Sequence, residues 1–474
     1  MLFNSFSFAI FLPIVFAAYW LIKDRYRWIV IVLSSYFFYA CSGPKYLLLI
    51  FFVTIVSYIS ARLIEKHSNK KKIMLLAVVL ICLGVLFFFK YFNFFIETTN
   101  TIFGALGIQA DFATLNIVLP VGISFYTFQS IGYVIDVYRG TTKTEHHLGV
   151  FMAFVSFFPQ LVAGPIERSS NLLPQIKNPK VFDYEQAIQG ARLMIWGYFK
   201  KLVIADVLSS YVQTVYDSPS QYSGFSLVIA AVFFSIQIYC DFSGYSDIAI
   251  GVAKLFGIDL MTNFKSPYFS RSVKEFWGRW HISLSTWFKD YVYIPLGGNR
   301  VGKVRHIFNL LVTFLVSGLW HGANWTFVIW GGVHGVAQVI ENTFLKKINK
   351  IKSKLLTIVR VVIVFVFAVF AWNFFVSNTF SDAIYVIKNA FVGISSPLSY
   401  IKEGFASIGI SKISLATILF SLLVLVLYDF FAVYKGYSLK KHKILRWVFY
   451  VFVALLVVFL SVKGVQAEFI YFQF

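Results

Sequence analysis

His321 and His281 are the side chains in this sequence best suited to chemistry. His321 stands in Ser317-Gly318-Leu319-Trp320-His321-Gly322-Ala323-Asn324-Trp325, between apolar runs at 307–316 and 326–340. An ionisable group in such surroundings is costly unless something compensates it, which makes it a functional candidate by default. An imidazole, with an ordinary pKa of about 6.5, suits general-base activation of a hydroxyl that attacks an acyl group. The competing reading is a hydrogen-bonded structural histidine that holds a helix break. His281 stands forty residues earlier, in Arg279-Trp280-His281-Ile282-Ser283. Catalysis and interfacial packing beside Trp280 are both open to it.

The remaining candidates are weaker. Asp241 and Asp247, in Tyr239-Cys240-Asp241-Phe242-Ser243-Gly244-Tyr245-Ser246-Asp247, are expected to pair with basic groups and steady a broken helix. Asn299 and Arg300, after Gly297-Gly298, could contact a phosphate-bearing donor or simply form a solvated loop. His334 reads as a packing residue, and His67, His146, His147, His306 and His442 as solvated. No metal site is expected, because the two main histidines lack nearby Cys or HExxH-like spacing. There is no G-x-S-x-G elbow and no Walker-type loop. Ser317 is the residue that keeps a covalent acyl-enzyme route open.

The elements that position these groups follow from composition. The 474 residues are 58% hydrophobic and 13% charged, and apolar runs at 47–61, 73–89, 355–375, 413–433 and 447–462 approach membrane-spanning length. The fold class is therefore all-α and polytopic, with about 11 transmembrane helices plus re-entrant and interfacial helices. The net charge of +21 is read as cytoplasmic loop bias rather than nucleic-acid binding. Basic clusters at 23–27, 66–72, 346–354 and 435–446 are placed inside, and the loops 97–114 and 216–224, without Lys or Arg, outside. Met1–Phe8 has no basic segment, so the first run reads as an uncleaved helix and the N-terminus as external. Cys41, Cys82 and Cys240 read as buried small hydrophobes.

A single integral-membrane domain is expected, in three stretches. Residues 1–110 form plain N-terminal helices. Residues 115–345, interrupted by Gly, Pro and polar residues, form a catalytic core with a tunnel. Residues 355–474 return to long helices, with an external loop near 377–412. Ser272-Val273-Lys274-Glu275 has the form of a capping box and starts one amphipathic helix that runs to Ile294. Its polar stripe is Glu275, Arg279, Ser283, Thr286 and Asp290; His281 shares the apolar stripe. His321 lies sixteen residues beyond Arg305, which is about 24 Å of helix. His281 is thus expected near the cytoplasmic mouth and His321 far toward the outer side.

The chain resembles the membrane-bound O-acyltransferase (MBOAT) family, alginate O-acetyltransferase-like bacterial branch. The resemblance is carried by Leu119-Pro120-Val121-Gly122 and the residues to 129, and by Phe158-Pro159-Gln160-Leu161-Val162-Ala163-Gly164-Pro165. Residues 241–251, 276–300, 317–335 and 469–474 extend it over essentially the whole chain. It implies a ring of helices around a transmembrane tunnel, His321 at the near-invariant catalytic position, and His281 at a position that is often Asn or His. It further implies acetyl-CoA as donor, no permanently bound cofactor, and outward transfer through an SGNH-hydrolase-like partner to an exported polysaccharide. The setting would be the bacterial inner membrane. D-alanyl transfer onto teichoic acid from a carrier-protein thioester is the alternative within the family. A transporter or flippase is the alternative outside it, although no internal repeat is visible.

Overall fold

A computed structural model describes residues 1–108, 112–162, 164–345, 351, 353–437, 442–461 and 469–470. Parts of two expected basic clusters (346–350 with 352, and 438–441) lie outside the described residues. So do Ala163 of one expected helix break and 471–474 of the terminal stretch. The protein is 77% helical with no strand among the described residues, so the all-α class holds.

Six helices are long and apolar enough to cross a membrane: Pro44–Lys66, Ser68–Ala105, Phe225–Leu255, Lys354–Val376, Lys412–Tyr434 and Lys443–Leu460. Phe6–Leu21 is a shorter apolar helix. Any further crossings must come from helices such as Lys303–His321 and Trp325–Thr343. These bury Asn309, Ser317, His321, Gln338 and Glu341, which lowers their hydropathy. Side chains of Ser5, Ser353, Thr379 and Ser411 cap helix N-termini by accepting backbone N–H groups.

Residue contacts gather the chain into two compact units, one of 1–194 with 248–261 and one of 195–247 with 262–474. In the first, one buried amide network meets the cost of burying polar groups with local partners. Gln129 Nε2 donates to Phe154 O at 2.7 Å, and Gln160 Nε2 donates to both Gln129 Oε1 and Phe154 O at 3.1 Å. Glu167 accepts from the Met261 backbone N–H and from Asn171. Gly122, with φ +74°, allows Leu161 O to approach where any Cβ would lie only 2.6 Å from it.

The second unit holds all four sequence-derived site residues. The Phe225–Leu255 helix runs unbroken for 31 residues through the segment expected to break at Asp241–Gly244. Gly244 serves close packing instead, since a Cβ there would sit 2.8 Å from Gly197 O. The stretch expected as a loop at 377–412 contains two helices, Phe380–Asn389 and Pro397–Ser407. Cys82 and Cys240 are buried, but Cys41 is exposed, because it follows the end of the Arg27–Ala40 helix.

The helices Lys303–His321 and Trp325–Thr343 form the hairpin that carries His321. Their backbones meet at Gly318 and Gly331. A Cβ on Gly318 would fall 2.2 Å from Phe327 O, and one on Gly331 would fall 2.3 Å from Phe314 O. Side chains cannot be accommodated against a backbone carbonyl without separating the helices. Gly331→Val should therefore lower stability by about 3 kcal/mol or more, at the upper end of overpacking costs. Thermal unfolding in detergent, followed by size-exclusion recovery, measures this; an unchanged midpoint would show that the crossing is not tight.

Candidate active site

His321 is the last residue of the Lys303–His321 helix, and Gly322 follows it in extended geometry. A Cβ at Gly322 would overlap the Phe327 ring at 2.1 Å, so glycine lets the chain turn directly beneath the imidazole. Asn324 Oδ1 accepts the Thr326 N–H at 3.0 Å and starts the next helix. The His321 ring is 3% exposed. Trp320 and Trp330 lie edge-on at centroid distances of 5.0 Å, and Phe375 at 5.5 Å.

His281 does not lie on a continuous amphipathic helix. Two short helices, Val273–Trp277 and Ile282–Phe288, flank it, and a π-helical turn at Lys289–Tyr293 follows. The expected capping box does start the first helix: Ser272 Oγ accepts the Glu275 N–H at 3.0 Å. Glu275 in turn accepts from the Arg271 backbone N–H at 3.0 Å and pairs with Arg271 and Arg279. Burial pushes the Glu275 carboxyl up, but these hydrogen bonds and charges outweigh it and hold the group below the usual range.

The helix breaks because His281 takes a left-handed backbone conformation, φ +42° and ψ +54°, and is fully buried. An extended segment runs alongside: Asn263 O accepts the Ile282 N–H at 2.9 Å, and Arg279 O accepts the Lys265 N–H at 3.0 Å. Ser283, expected on the polar stripe, is buried and donates its hydroxyl to Asn263 Oδ1 at 2.7 Å.

This break changes the expected placement of the two histidines. Their ring centroids are 6.4 Å apart, so they share one site instead of standing at opposite mouths. Phe242 packs edge-on against His281 at 4.5 Å. Trp277, Trp280, Trp330 and Trp372 form a wall that reaches His321 through Trp330, with Trp280 and Trp330 each within 5.4 Å of Trp372. His334 belongs to this wall. It is buried, and its Nδ1 accepts from Trp277 Nε1 at 3.2 Å, which fits the packing role expected for it.

A cavity of about 510 Å³ opens beside this hairpin, a usual size for a small-molecule site. Lys274, Lys289, Asn299 and His306 are among its lining residues, as are Trp277, Phe314 and Ser317. Ser317 is one helical turn before His321. Asn299 lines the cavity, while Arg300 is exposed and is not part of the lining. His306, expected to be solvated, contributes to it. Among the described residues, no three His, Cys, Asp or Glu side chains gather as a metal site.

Sequence reasoning missed Lys200 and Lys201, both buried. Lys200 pairs with Asp247 at 2.6 Å; Lys201 pairs with Asp241 at 2.7 Å and Asp206 at 2.8 Å. These are the basic partners expected for the two aspartates. Two lysines within an apolar stretch were the signal. Asp241 Oδ2 also accepts the Ile470 backbone N–H at 2.8 Å, and the Phe469 ring lies 4.6 Å from Tyr245 and 5.9 Å from Phe242.

The sequence profile of the membrane-bound O-acyltransferase family matches residues 143–380, the stretch that contains both histidines and the cavity. The chain belongs to the membrane-bound O-acyltransferase family. It is an acyltransferase and a multi-pass membrane protein. Among its MBOAT relatives, the probable alginate O-acetylase of Pseudomonas aeruginosa is 38% identical over 377 residues, covering 78% of this chain and 71% of the relative. The peptidoglycan O-acetyltransferase of Helicobacter pylori is 34% identical over 423 residues, 82% of this chain and 79% of the relative. The teichoic acid D-alanyltransferase of Streptococcus thermophilus is 33% identical over 250 residues, 49% of this chain and 60% of the relative.

Lys201 compensates two buried carboxylates behind this MBOAT site. Lys201→Met would leave Asp206 and Asp241 with uncompensated charge, at a cost of about 3–5 kcal/mol. Detergent thermal unfolding should show the loss, and adding Asp241→Asn should restore part of it. A fully additive double variant would show that the pair is not coupled.

Proposed function

We propose that this acyltransferase takes an acetyl group from cytoplasmic acetyl-CoA and passes it across the bacterial inner membrane for O-acetylation of an extracytoplasmic polysaccharide. The observation that carries this reading is the pairing of two buried imidazoles, with Ser317, one helical turn before His321, lining a cavity of ligand size. The names of the two relatives covered over most of their length, an alginate O-acetylase and a peptidoglycan O-acetyltransferase, support an acetyl group and a glycan acceptor. The N-terminus is external in this reading, and an SGNH-hydrolase-like protein outside the membrane receives the acetyl group or directs it to the polymer.

The donor thioester enters from the cavity. Lys274, Lys289 and Asn299, with Arg300 at the exposed rim, face the phosphates and amides of coenzyme A. The acetyl carbonyl comes to rest between the two rings, where tryptophan and phenylalanine exclude water that would hydrolyse it. His321 takes the proton from the acceptor hydroxyl as its oxygen attacks the carbonyl carbon. The tetrahedral intermediate collapses with cleavage of the C–S bond. The departing thiolate recovers the proton from the imidazolium, so the products are an ester and free coenzyme A. His281 orients the thioester. Ser317 lines the cavity, which keeps a two-step route through a serine ester chemically possible, but direct transfer needs no further group.

His321→Ala should lower transfer from labelled acetyl-CoA by about 10²–10⁴-fold in membranes with equal protein, the usual contribution of a general base. Undiminished transfer would remove His321 from the mechanism, and transport of intact substrate by the variant would favour a flippase. Offering a D-alanyl carrier-protein thioester in place of acetyl-CoA separates the two donors: the acetyl reading fails if only the D-alanyl donor turns over. Lys274→Ala with Lys289→Ala should raise the KM for acetyl-CoA by roughly an order of magnitude with kcat little changed, the pattern of lost uniform binding. An unaltered KM would place the donor elsewhere.

A further inference from the structure

We infer that Asn263 is the positioning residue that fixes the tautomer and orientation of His281, so that the imidazole carries its proton on Nδ1 and its basic lone pair on Nε2. This rests on the proposed role of His281 in acyl transfer and assigns how the protein prepares that ring for it.

Asn263 is fully buried, and every polar atom of its side chain is used. Oδ1 accepts from the Ser283 backbone N–H at 3.2 Å and from the Ser283 hydroxyl at 2.7 Å, while Nδ2 donates to Ser246 Oγ at 3.3 Å. The backbone N–H of Ser283 can only donate, so the atom that receives it must be the carbonyl oxygen. The same Oδ1 lies 3.3 Å from His281 Nδ1. An amide oxygen cannot donate, so Nδ1 must be the donor. In a neutral imidazole the other nitrogen then holds the lone pair.

The backbone points the same way. Asn263 O accepts the Ile282 N–H at 2.9 Å, directly after the left-handed His281. Non-glycine residues with φ near +42° are uncommon, although His and Asn are enriched among them. Asn263 therefore grips both ends of the strained residue: its oxygen receives the ring, and its main chain receives the next peptide. Ser246 anchors the amide from the Phe225–Leu255 helix, and Phe242, one turn earlier on that helix, closes the edge of the imidazole. His321 stands opposite at 6.4 Å between ring centroids, and the rings of Phe242 and Trp320 lie at 4.5 and 6.1 Å.

Two variants and one spectroscopic measurement test this on the full-length protein in lipid nanodiscs. With ¹⁵N-histidine labelling and His281→Gln as the assignment control, the His281 signals should report protonated Nδ1 and unprotonated Nε2. A proton on Nε2 in the native protein overturns the inference, whatever the activity. Asn263→Ala should lower acetyl transfer by on the order of 10- to 100-fold, the range typical of groups that orient a functional imidazole. Asn263→Asp keeps an acceptor facing Nδ1 and adds a negative charge that stabilises the imidazolium. It should recover much of the transfer lost in Asn263→Ala at alkaline pH and move the acid limb of the pH–rate profile upward by on the order of one unit. An acid limb that stays at the native position in Asn263→Asp, with folded protein recovered, overturns the inference. Undiminished transfer by His281→Ala would instead refute the role of His281, and the nitrogen signals would still decide the hold of Asn263.

Discussion

The constraint on which the second unit depends is that its polar groups have little water to fall back on. An imidazole, an ammonium or a peptide N–H buried among aromatic rings must find its partner within the protein or impose the full cost of its desolvation. Each unusual feature near the site answers that demand. Asn263 serves five hydrogen-bonding groups at once. Lys201 bridges two carboxylates. Glu341 Oε2, itself buried, receives the Val273 and Lys274 N–H groups that open the first short helix. Tyr239 donates to Asp429 at 2.5 Å, and Ser266 donates to the Asp429 carbonyl. His281 is accommodated in the same way, with Asn263 Oδ1 facing its Nδ1.

The same constraint explains what was legible in the sequence. Long apolar runs are local signals, and five of the six long apolar helices fall on runs recognised from composition alone. The capping box of Ser272 and Glu275 was also local, and it starts a helix as expected. His321 announced itself because an ionisable group between two apolar stretches is rare. The close approach of His281 to His321 was not legible. Reading 272–294 as one helix assumed helical φ at every residue, and a single left-handed residue redirects the chain. Residue type alone does not mark His281 for that conformation, although histidine tolerates it better than most; the contacts of Asn263 with His281, Ile282 and Ser283 hold it there across a turn of the chain. In the same way, Gly244 looked like a helix break and proved to be a packing notch, since a glycine's role depends on what lies against it.

His281 also gives a physical sense to the residue types that the MBOAT resemblance allows at its position. Asn and His are both short polar side chains that tolerate a left-handed backbone better than most. Each can offer a hydrogen-bond donor toward an oxygen placed as Asn263 Oδ1 is. A valine or isoleucine could do neither.

The buried ion pairs have an order in time as well as in space. Lys200 and Lys201 are translated before Asp206, Asp241 and Asp247, so the cations are already made when the helix bearing the later acids emerges. Asp241 then waits through a further 229 residues for the Ile470 N–H. At about 5–20 residues per second that is roughly ten to fifty seconds of synthesis. Of the two folded-state partners Lys201 and the Ile470 N–H, only Lys201 exists during this interval. The double pairing of Lys201 is thus also a holding arrangement for a nascent chain, in which the charge is safe long before its last partner exists.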